Sequence, residues 1–157
     1  MGASWRPVTD DDLPFLAELY ASTRREEVAQ TGWPAETQEA FLRQQHEAQH
    51  RHYTLHYAAA EWLVIERGGE AVGRLCLLDK PDDLHIVDIS LLPHARGQGL
   101  GGAILEDILD AARELGKGVA IHVEINNPAL SLYRRLGFEV VGDAGIHHLM
   151  RAVPQAL

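Results

Sequence analysis

The sequence predicts a single α/β domain: a mixed, mostly antiparallel sheet of about seven strands with helices on both faces. Three observations lead there. Short apolar runs of strand character are interleaved with longer runs of helical period. Glycine-centred turn signals join strand pairs, as hairpins do. Between the hairpins, one apolar strand feeds a glycine-rich loop, an amphipathic helix and another strand.

Each element has its own warrant. Trp5–Val8 is a short strand ended by Thr9-Asp10-Asp11-Asp12, where Thr9 can cap a helix and the acids suit its N-terminus. The helix is expected to run to about Thr23, with Leu13, Leu16, Ala17 and Tyr20 on one face. Glu26–Glu36, with Gly32-Trp33-Pro34, reads as irregular, and a second helix as running from about Thr37 to Tyr53. EWLVIER and AVGRLCLL flank Gly68-Gly69-Glu70 as a hairpin, and LHIVDISLL is a strand stopped by Pro93. A helix over residues 99 to 115 carries an apolar stripe of Leu100, Ile104, Ile108, Ala111 and Leu115, with Gly116 as its stop. GVAIHVEI is a further strand. Asn126 or Asn127 then caps a short helix with Pro128 in its first turn, Ala129, Leu132, Tyr133 and Leu136 on a face, and Gly137 ending it. FEVV and HHLMRAV supply the remaining strands.

Composition narrows the function classes. The 157 residues suit one domain over 1–157, and 46% apolar with 24% charged content is ordinary for a globular protein. No apolar run approaches the ~20 residues that cross a bilayer, and MGASWRPVTDDD lacks the pattern of a secretory signal. The lone cysteine, Cys76, reads as a small buried hydrophobe within GRLCLL and suits a reducing compartment, so a cytoplasmic location is expected. A net charge of −9 argues against nucleic-acid and anionic-membrane partners and permits a cationic substrate.

The stretch HARGQGLGG, residues 94–102, carries the chemistry. Gly97-x-Gly99-x-x-Gly102 fits a dinucleotide fingerprint, with Glu124 at the end of the next strand. Two features oppose that reading. His94-Ala95-Arg96 separates the strand from the first glycine, and the 33 residues after Glu124 cannot build the second half of a doubly wound sheet. Backbone N–H groups at a helix N-terminus nonetheless form an anion nest, and glycines let a pyrophosphate approach without a Cβ in the way.

A second pattern begins one residue earlier, Arg96-x-x-Gly99-x-Gly101. Downstream stands Asn126-x-x-Ala129-x-x-Leu132-Tyr133-x-x-x-Gly137-Phe138. With these two motifs the chain resembles the GNAT N-acetyltransferase superfamily over nearly its whole length, although IHVEI reaches Asn126 one residue earlier than in the family's commonest pattern. The resemblance implies acetyl-CoA as cosubstrate, with its pyrophosphate on Arg96, Gly97, Gln98, Gly99, Leu100, Gly101 and Gly102, and Asn126 as a further contact. It implies a bulge that splays the preceding strand and exposes backbone groups of Ile89, Ser90 and Leu91 to the acyl arm. It also implies Tyr133 as a cofactor contact and general acid to the leaving thiolate. The acceptor is then a primary amine (small molecule, amino acid or peptide) attacking directly in a ternary complex. A homodimer is allowed.

The general base stays open. A free alkylammonium, with a pKa of ~10.4, must lose a proton before it attacks. His85 suits that task by its titration range, with Asp88, His122 and a water chain as alternatives. Trp33, His50, His52 and Tyr53 are acceptor-cleft candidates. Two readings compete from other classes: a non-catalytic acyl-CoA sensor, and a zinc peptidase. The second rests on His46-Glu47-x-x-His50 with His56, a zinc-site spacing. Residue 53, however, is Tyr where that site needs Gly, so no metal is expected.

Overall fold

The computed structural model describes residues 3–125 and 127–153. The strands are β1 (Ser4–Pro7), β2 (Glu61–Arg67), β3 (Glu70–Asp79), β4 (Asp83–Leu91), β5 (Gly118–Glu124), β6 (Glu139–Ala144) and β7 (His147–Ala152). The helices are α1 (Leu13–Ala29), α2 (Ala35–His56), α3 (Leu100–Glu114) and α4 (Leu130–Arg135). The strands form one seven-stranded sheet in the order β1-β2-β3-β4-β5-β7-β6. Only β4 and β5 are parallel, joined through α3; every other neighbouring pair is antiparallel.

Alternation along the strands divides the sheet into two faces. Leu75 of β3, Leu84 and Ile86 of β4, and Val119, Ile121 and Val123 of β5 point to one side. There they meet Ile104, Leu105 and Ile108 of α3 and Tyr133 and Phe138 around α4 in the main core. Arg74 and Cys76 of β3 belong to the opposite face, over which α1 and α2 lie: Tyr53 of α2 stacks on Trp62 of β2 with ring centroids 5.2 Å apart, and the Arg74 guanidinium lies 5.8 Å from the Tyr53 ring. A separate small core of Ala21, Val28 and Leu42, with Phe41 packed against it, joins α1 to α2.

A bulge in β4 interrupts this alternation. Cys76 pairs with Asp88 and Leu77 with Ile86, which leaves Val87 as an extra residue. One extra residue inverts every side chain that follows it. Ile89 and Leu91 therefore join the core side, while Asp88 and Ser90 turn toward the α1–α2 side. The same point ends the parallel pairing, which covers residues 83–86 against 118–121. Beyond it β4 stays with β3 through Leu91, β5 stays with β7 through Glu124, and the two strands part.

Several boundaries differ from the sequence expectation. Helix α1 continues past Thr23 to Ala29, because Val28 is 3% exposed and packs in the small α1–α2 core, while Arg24–Glu27 and Arg25–Glu18 ion pairs carry the polar run. The stretch 26–36 is thus irregular only around residues 30–34. Helix α2 begins after Pro34 and runs one turn beyond Tyr53 to His56. Helix α4 begins at Leu130, so Pro128 precedes it, and the Asn127 Oδ1 atom receives the Ala129 N–H at 2.8 Å.

Two tests follow from these contacts. A Cβ on Gly73 of β3 would run into the Ser90 carbonyl oxygen and lie 2.7 Å from Leu91 Cδ2. The obstruction is backbone, which no rotamer relieves, so Gly73→Ala should cost about 1–3 kcal/mol in urea unfolding. Unchanged stability would show that β3 and β4 do not approach this closely. Second, Asp12 receives two bonds from the Arg6 guanidinium (2.7 and 2.9 Å) and the Thr9 N–H at 2.7 Å, and these hold its carboxyl well below the usual carboxylate range. A carboxyl depressed in the folded state stabilises in full above its unfolded value of ~3.9 and loses that contribution as pH falls below it. Asp12→Asn should lower the melting temperature near neutral pH, with the gap from wild type closing on acidification below about pH 4. A gap that persists in acid would assign the loss to packing.

Candidate active site

The site is assembled where β4 and β5 part. After Leu92 the chain makes a 3₁₀ turn over Pro93–Ala95, with Ala95 fully buried as its anchor. Gly97 (φ +71°) and Gly99 (φ +78°) then take left-handed conformations that a side chain would strain, and Gly99 is the N-cap of α3. The first backbone bond into the helix is Ala103 N–H to Gly99 C=O. Among the described residues the N–H groups of Gly97 through Gly102 have no backbone acceptor, so a row of donors is left at the positive end of a fifteen-residue helix. Leu100 seals the helix onto the core. A Cβ at Gly101 would meet only Leu91 Cδ1, at 3.9 Å, and one at Gly102 only Leu132 Cδ1, at 3.6 Å.

The loop is braced by its own side chains. Arg96 donates from Nε to the Leu91 carbonyl at 2.9 Å while remaining exposed. Gln98 donates to the His94 carbonyl at 2.7 Å and accepts from Arg67 at the end of β2, also at 2.7 Å. Gln98 thus acts locally as a strut, through its side chain, and its N–H remains in the donor row.

Between the loop and the α1–α2 layer lies a cavity of about 670 Å³. Arg96, Ser90 and Asp88 line one side, Glu124, Asn127 and Pro128 the opposite side past the split, Tyr20, Thr23 and Arg24 of α1 and Gln49 of α2 the wall, and Arg74 the floor. Arg74, 5% exposed, donates from Nε to Asp88 Oδ2 at 2.8 Å, and its Nη2 lies 2.7 Å from the same oxygen. Tyr133 comes from α4, on the far side of the sheet. It is 6% exposed and packs edge-on against Phe138 with centroids 5.7 Å apart. Burial first, and then the Asp88 carboxylate, push its phenol above the usual tyrosine range, so the hydroxyl stays protonated near neutral pH.

A second, smaller cavity of about 250 Å³ adjoins the apex of the split, lined by Tyr53, Tyr57, His85, Val87, His122 and His147. The His85 and His122 rings lie 5.2 Å apart. Burial, then Lys80 and His122, push His85 down to about 4. Its imidazole is neutral near pH 7 but a weak base, far from the match to operating pH that general-base work favours. Of the three side chains expected to take the amine proton, Asp88 alone lines the larger cavity with Arg96 and Ser90.

The remaining expected site residues scatter. Ile89 and Leu91 turn their side chains to the core and offer backbone at the strand edge that β5 has left, while Ser90 faces the cavity. Asn126 lies outside the described residues. Of the acceptor candidates, Tyr53 lines the small cavity, Trp33 packs on Phe41 away from the split, and His52 stacks on His56 at 4.5 Å. His50 lines a groove between α1 and α2 with His46. The His46 and His50 rings are 6.3 Å apart, and His46 is buried against Tyr20, whereas His56 belongs with His52. Among the described residues no three or more His, Cys, Asp or Glu side chains converge as metal ligands. Nor, among them, is any helix long and apolar enough to cross a membrane. The residue that sequence reasoning missed is Arg74. A lone cation within the apolar run AVGRLCLL was the available signal.

Comparison with known proteins gives the chain a family and a fold in common with others. The family model described as acetyltransferase (GNAT) family matches residues 16–138. The N-alpha-acetyltransferase RimI of Mycobacterium tuberculosis is 30% identical over 138 residues, covering 86% of this chain and 77% of that one. The peptidyl-lysine N-acetyltransferase YjaB of Salmonella typhimurium is 30% identical over 93 residues, 59% of each chain, and an N-alpha-acetyltransferase of Sulfurisphaera tokodaii is 35% identical over 60 residues, 36% of each. This chain therefore spans about three-fifths or less of the length of these last two relatives. In fold, the PaiA N-acetyltransferase of Thermoplasma acidophilum, solved with coenzyme A, superposes with a TM-score of 0.71 at 17% identity, over 98% of this chain and 99% of that one. PH1933 of Pyrococcus horikoshii superposes with a TM-score of 0.70 at 20% identity, over 99% of both. By the family model across most of its length and the shared fold, this chain belongs to the acetyltransferase (GNAT) family.

Proposed function

We propose that this protein is an acetyl-CoA-dependent N-acetyltransferase that passes an acetyl group to a primary amine by direct attack in a ternary complex, within one domain over residues 1–157. The observation that carries the reading is the parting of β4 and β5 beside the free N–H row of α3. Family membership and the coenzyme A complex of the PaiA neighbour support it. Acetyl-CoA supplies the activated acyl group as a thioester.

The residues fit that group on grounds of their own chemistry. Backbone donors from Gly97 to Gly102 and the Arg96 guanidinium suit a pyrophosphate, and the open space around Gly97 and Gly99 leaves it room. The unpaired edge of residues 88–91 offers backbone donors and acceptors to an extended amide-bearing arm, and a donor there can stabilise charge developing on the acyl oxygen. The Tyr133 phenol, protonated near neutral pH, can give its proton to the departing sulfur. Relatives that act on α-amines or on peptidyl lysine, by their names, put peptides at the head of the acceptor panel. Release of free thiol across peptides, amino acids and small amines tests the function directly. Silence across the panel would favour an acyl-CoA sensor.

Two variants test the site. Gly101→Asp places a carboxylate at the second position of α3, where it suits the helix dipole and meets no close neighbour, but faces the proposed pyrophosphate. It should hold or raise the melting temperature while weakening coenzyme A binding by about 2 kcal/mol, roughly thirtyfold, in calorimetry. Unchanged affinity would move the pyrophosphate elsewhere. Tyr133→Phe keeps the ring against Phe138 and removes the hydroxyl, so kcat should fall about 10²-fold with coenzyme A affinity and stability nearly constant. An unaltered single-turnover rate would remove Tyr133 from the chemistry, and a large loss of stability would make it structural.

A further inference from the structure

Arg74 and Asp88 form a charged pair in the floor of the cavity, and their geometry is one-sided. The guanidinium approaches a single carboxylate oxygen: Nε at 2.8 Å and Nη2 at 2.7 Å, both on Asp88 Oδ2. The Ser90 hydroxyl lies 3.4 Å from Oδ2 and 3.5 Å from Oδ1, at the outer limit of a hydrogen bond, and among the described residues Oδ1 has no other donor. A bidentate fork would have used both oxygens. The cation is locked in place. It lies 5.5 Å from the Trp62 ring and 5.8 Å from the Tyr53 ring, and Nη2 reaches Gln49 Oε1 at 3.4 Å. The side chains are 7% exposed for Arg74 and 20% for Asp88, so of the two residues lining the cavity the anion is the more open.

Such a pair is a poor investment in stability alone. Desolvating two charges costs more than their attraction commonly returns, and well-packed apolar residues at such places are often neutral or better. The arrangement does supply a fixed carboxylate that lines a cavity together with Ser90 and Arg96. We propose that Arg74 is a positioning residue for acceptor recognition: it grips Asp88 through Oδ2 so that Oδ1, with the Ser90 hydroxyl, receives the ammonium form of the incoming amine. The proposal rests on the acetyl-transfer reading and deepens it. Acceptors that arrive as cations are selected over neutral nucleophiles, because a protonated amine gives Oδ1 the donor it lacks.

The test compares two nucleophiles in the thiol-release assay, after subtraction of the uncatalysed rate: n-butylamine, cationic near neutral pH, and hydroxylamine, neutral there. Arg74→Met should lower kcat/KM for n-butylamine roughly 10- to 100-fold, chiefly through KM, while hydroxylamine changes less than about threefold. Arg74→Lys, which keeps the charge with one donor centre, should fall between. Because Arg74→Met strands a half-buried carboxylate, Arg74→Met/Asp88→Leu serves as the partner variant: it should recover the wild-type melting temperature and still lose n-butylamine turnover. Coenzyme A affinity should stay constant throughout. Equal losses for both nucleophiles, or n-butylamine turnover restored along with stability in the double variant, would make the pair purely structural and overturn the proposal. A wild-type protein inert toward every amine would instead sink the acetyl-transfer reading itself.

Discussion

One extra residue, Val87, governs the architecture of the site. Up to Ile86, β4 is an ordinary inner strand with a partner on each side. After Val87 its faces are exchanged and its parallel partner is gone. Both changes are needed together. Without the inversion, Asp88 and Ser90 would be driven into the apolar layer with Leu84 and Ile86, where an unpaired carboxylate is prohibitively costly. Without the parting, the backbone of residues 88–91 would be consumed by β5. Each strand keeps its outer neighbour, so the opening costs one ladder edge rather than two. Buried backbone groups seek partners, and a gap of this kind inside a sheet is a place for a ligand with amides of its own.

The two layers over the sheet are built to different standards. The α3–α4 side carries most of the large buried side chains, from Leu75 and Ile86 to Phe138 and Met150, and it fixes the loop through Ala95, Leu100 and Ile104. The α1–α2 side rests on a few apolar residues and on polar contacts such as Arg6–Asp12 and Arg25–Glu18. Under the proposed function, the side meeting an invariant cosubstrate is the rigid one. The side meeting the acceptor has fewer packing constraints and so more freedom to vary in sequence.

What could be read from the sequence was local information. The glycine loop, the α3 helix and the hairpin at Gly68-Gly69 each lie within one window, and they place the strand–helix–strand unit without knowledge of the rest. Of the expected α3 stripe, however, only Leu100, Ile104 and Ile108 are buried, while Ala111 and Leu115 are exposed and Leu105 and Ala112 take the core-facing places. The end of α1 was illegible because Arg24-Arg25-Glu26-Glu27 shows no apolar period; that helix is carried onward by Val28 meeting Leu42, a contact across two helices. The bulge was expected from the family resemblance alone, because the residues themselves do not display it. LHIVDISLL alternates well enough with or without an extra residue, and only the register against β3 reveals it. His85 and Asp88, three apart, would stand on opposite faces of a regular strand, and the bulge is what brings both to the same one. Arg74 gave a signal by its type, a cation in an apolar strand, but its partner lies fourteen residues away across a register that the sequence does not display.

Under the proposed function, charge then explains how an acidic protein would hold an anionic cosubstrate. With a net charge of −9, the far field repels polyanions and gathers cations. Exposed charges more than about 10 Å apart are largely screened at ordinary salt, so a ligand at the loop feels little of the distant acidic side chains and the groups within that range decide. Near the loop the attraction comes from Arg96 and from backbone N–H groups at a helix end, whose partial charges persist whatever the sum of the side chains. Under the same reading, the acidity would favour a cationic acceptor. An alkylammonium drawn by the overall field would meet Glu124 and Asp88 along the cavity, while the cation beneath them, Arg74, is already committed to Asp88 and shielded by Trp62 and Tyr53. Sequestering that guanidinium is what lets a cavity with arginine in its floor remain attractive to a positive guest.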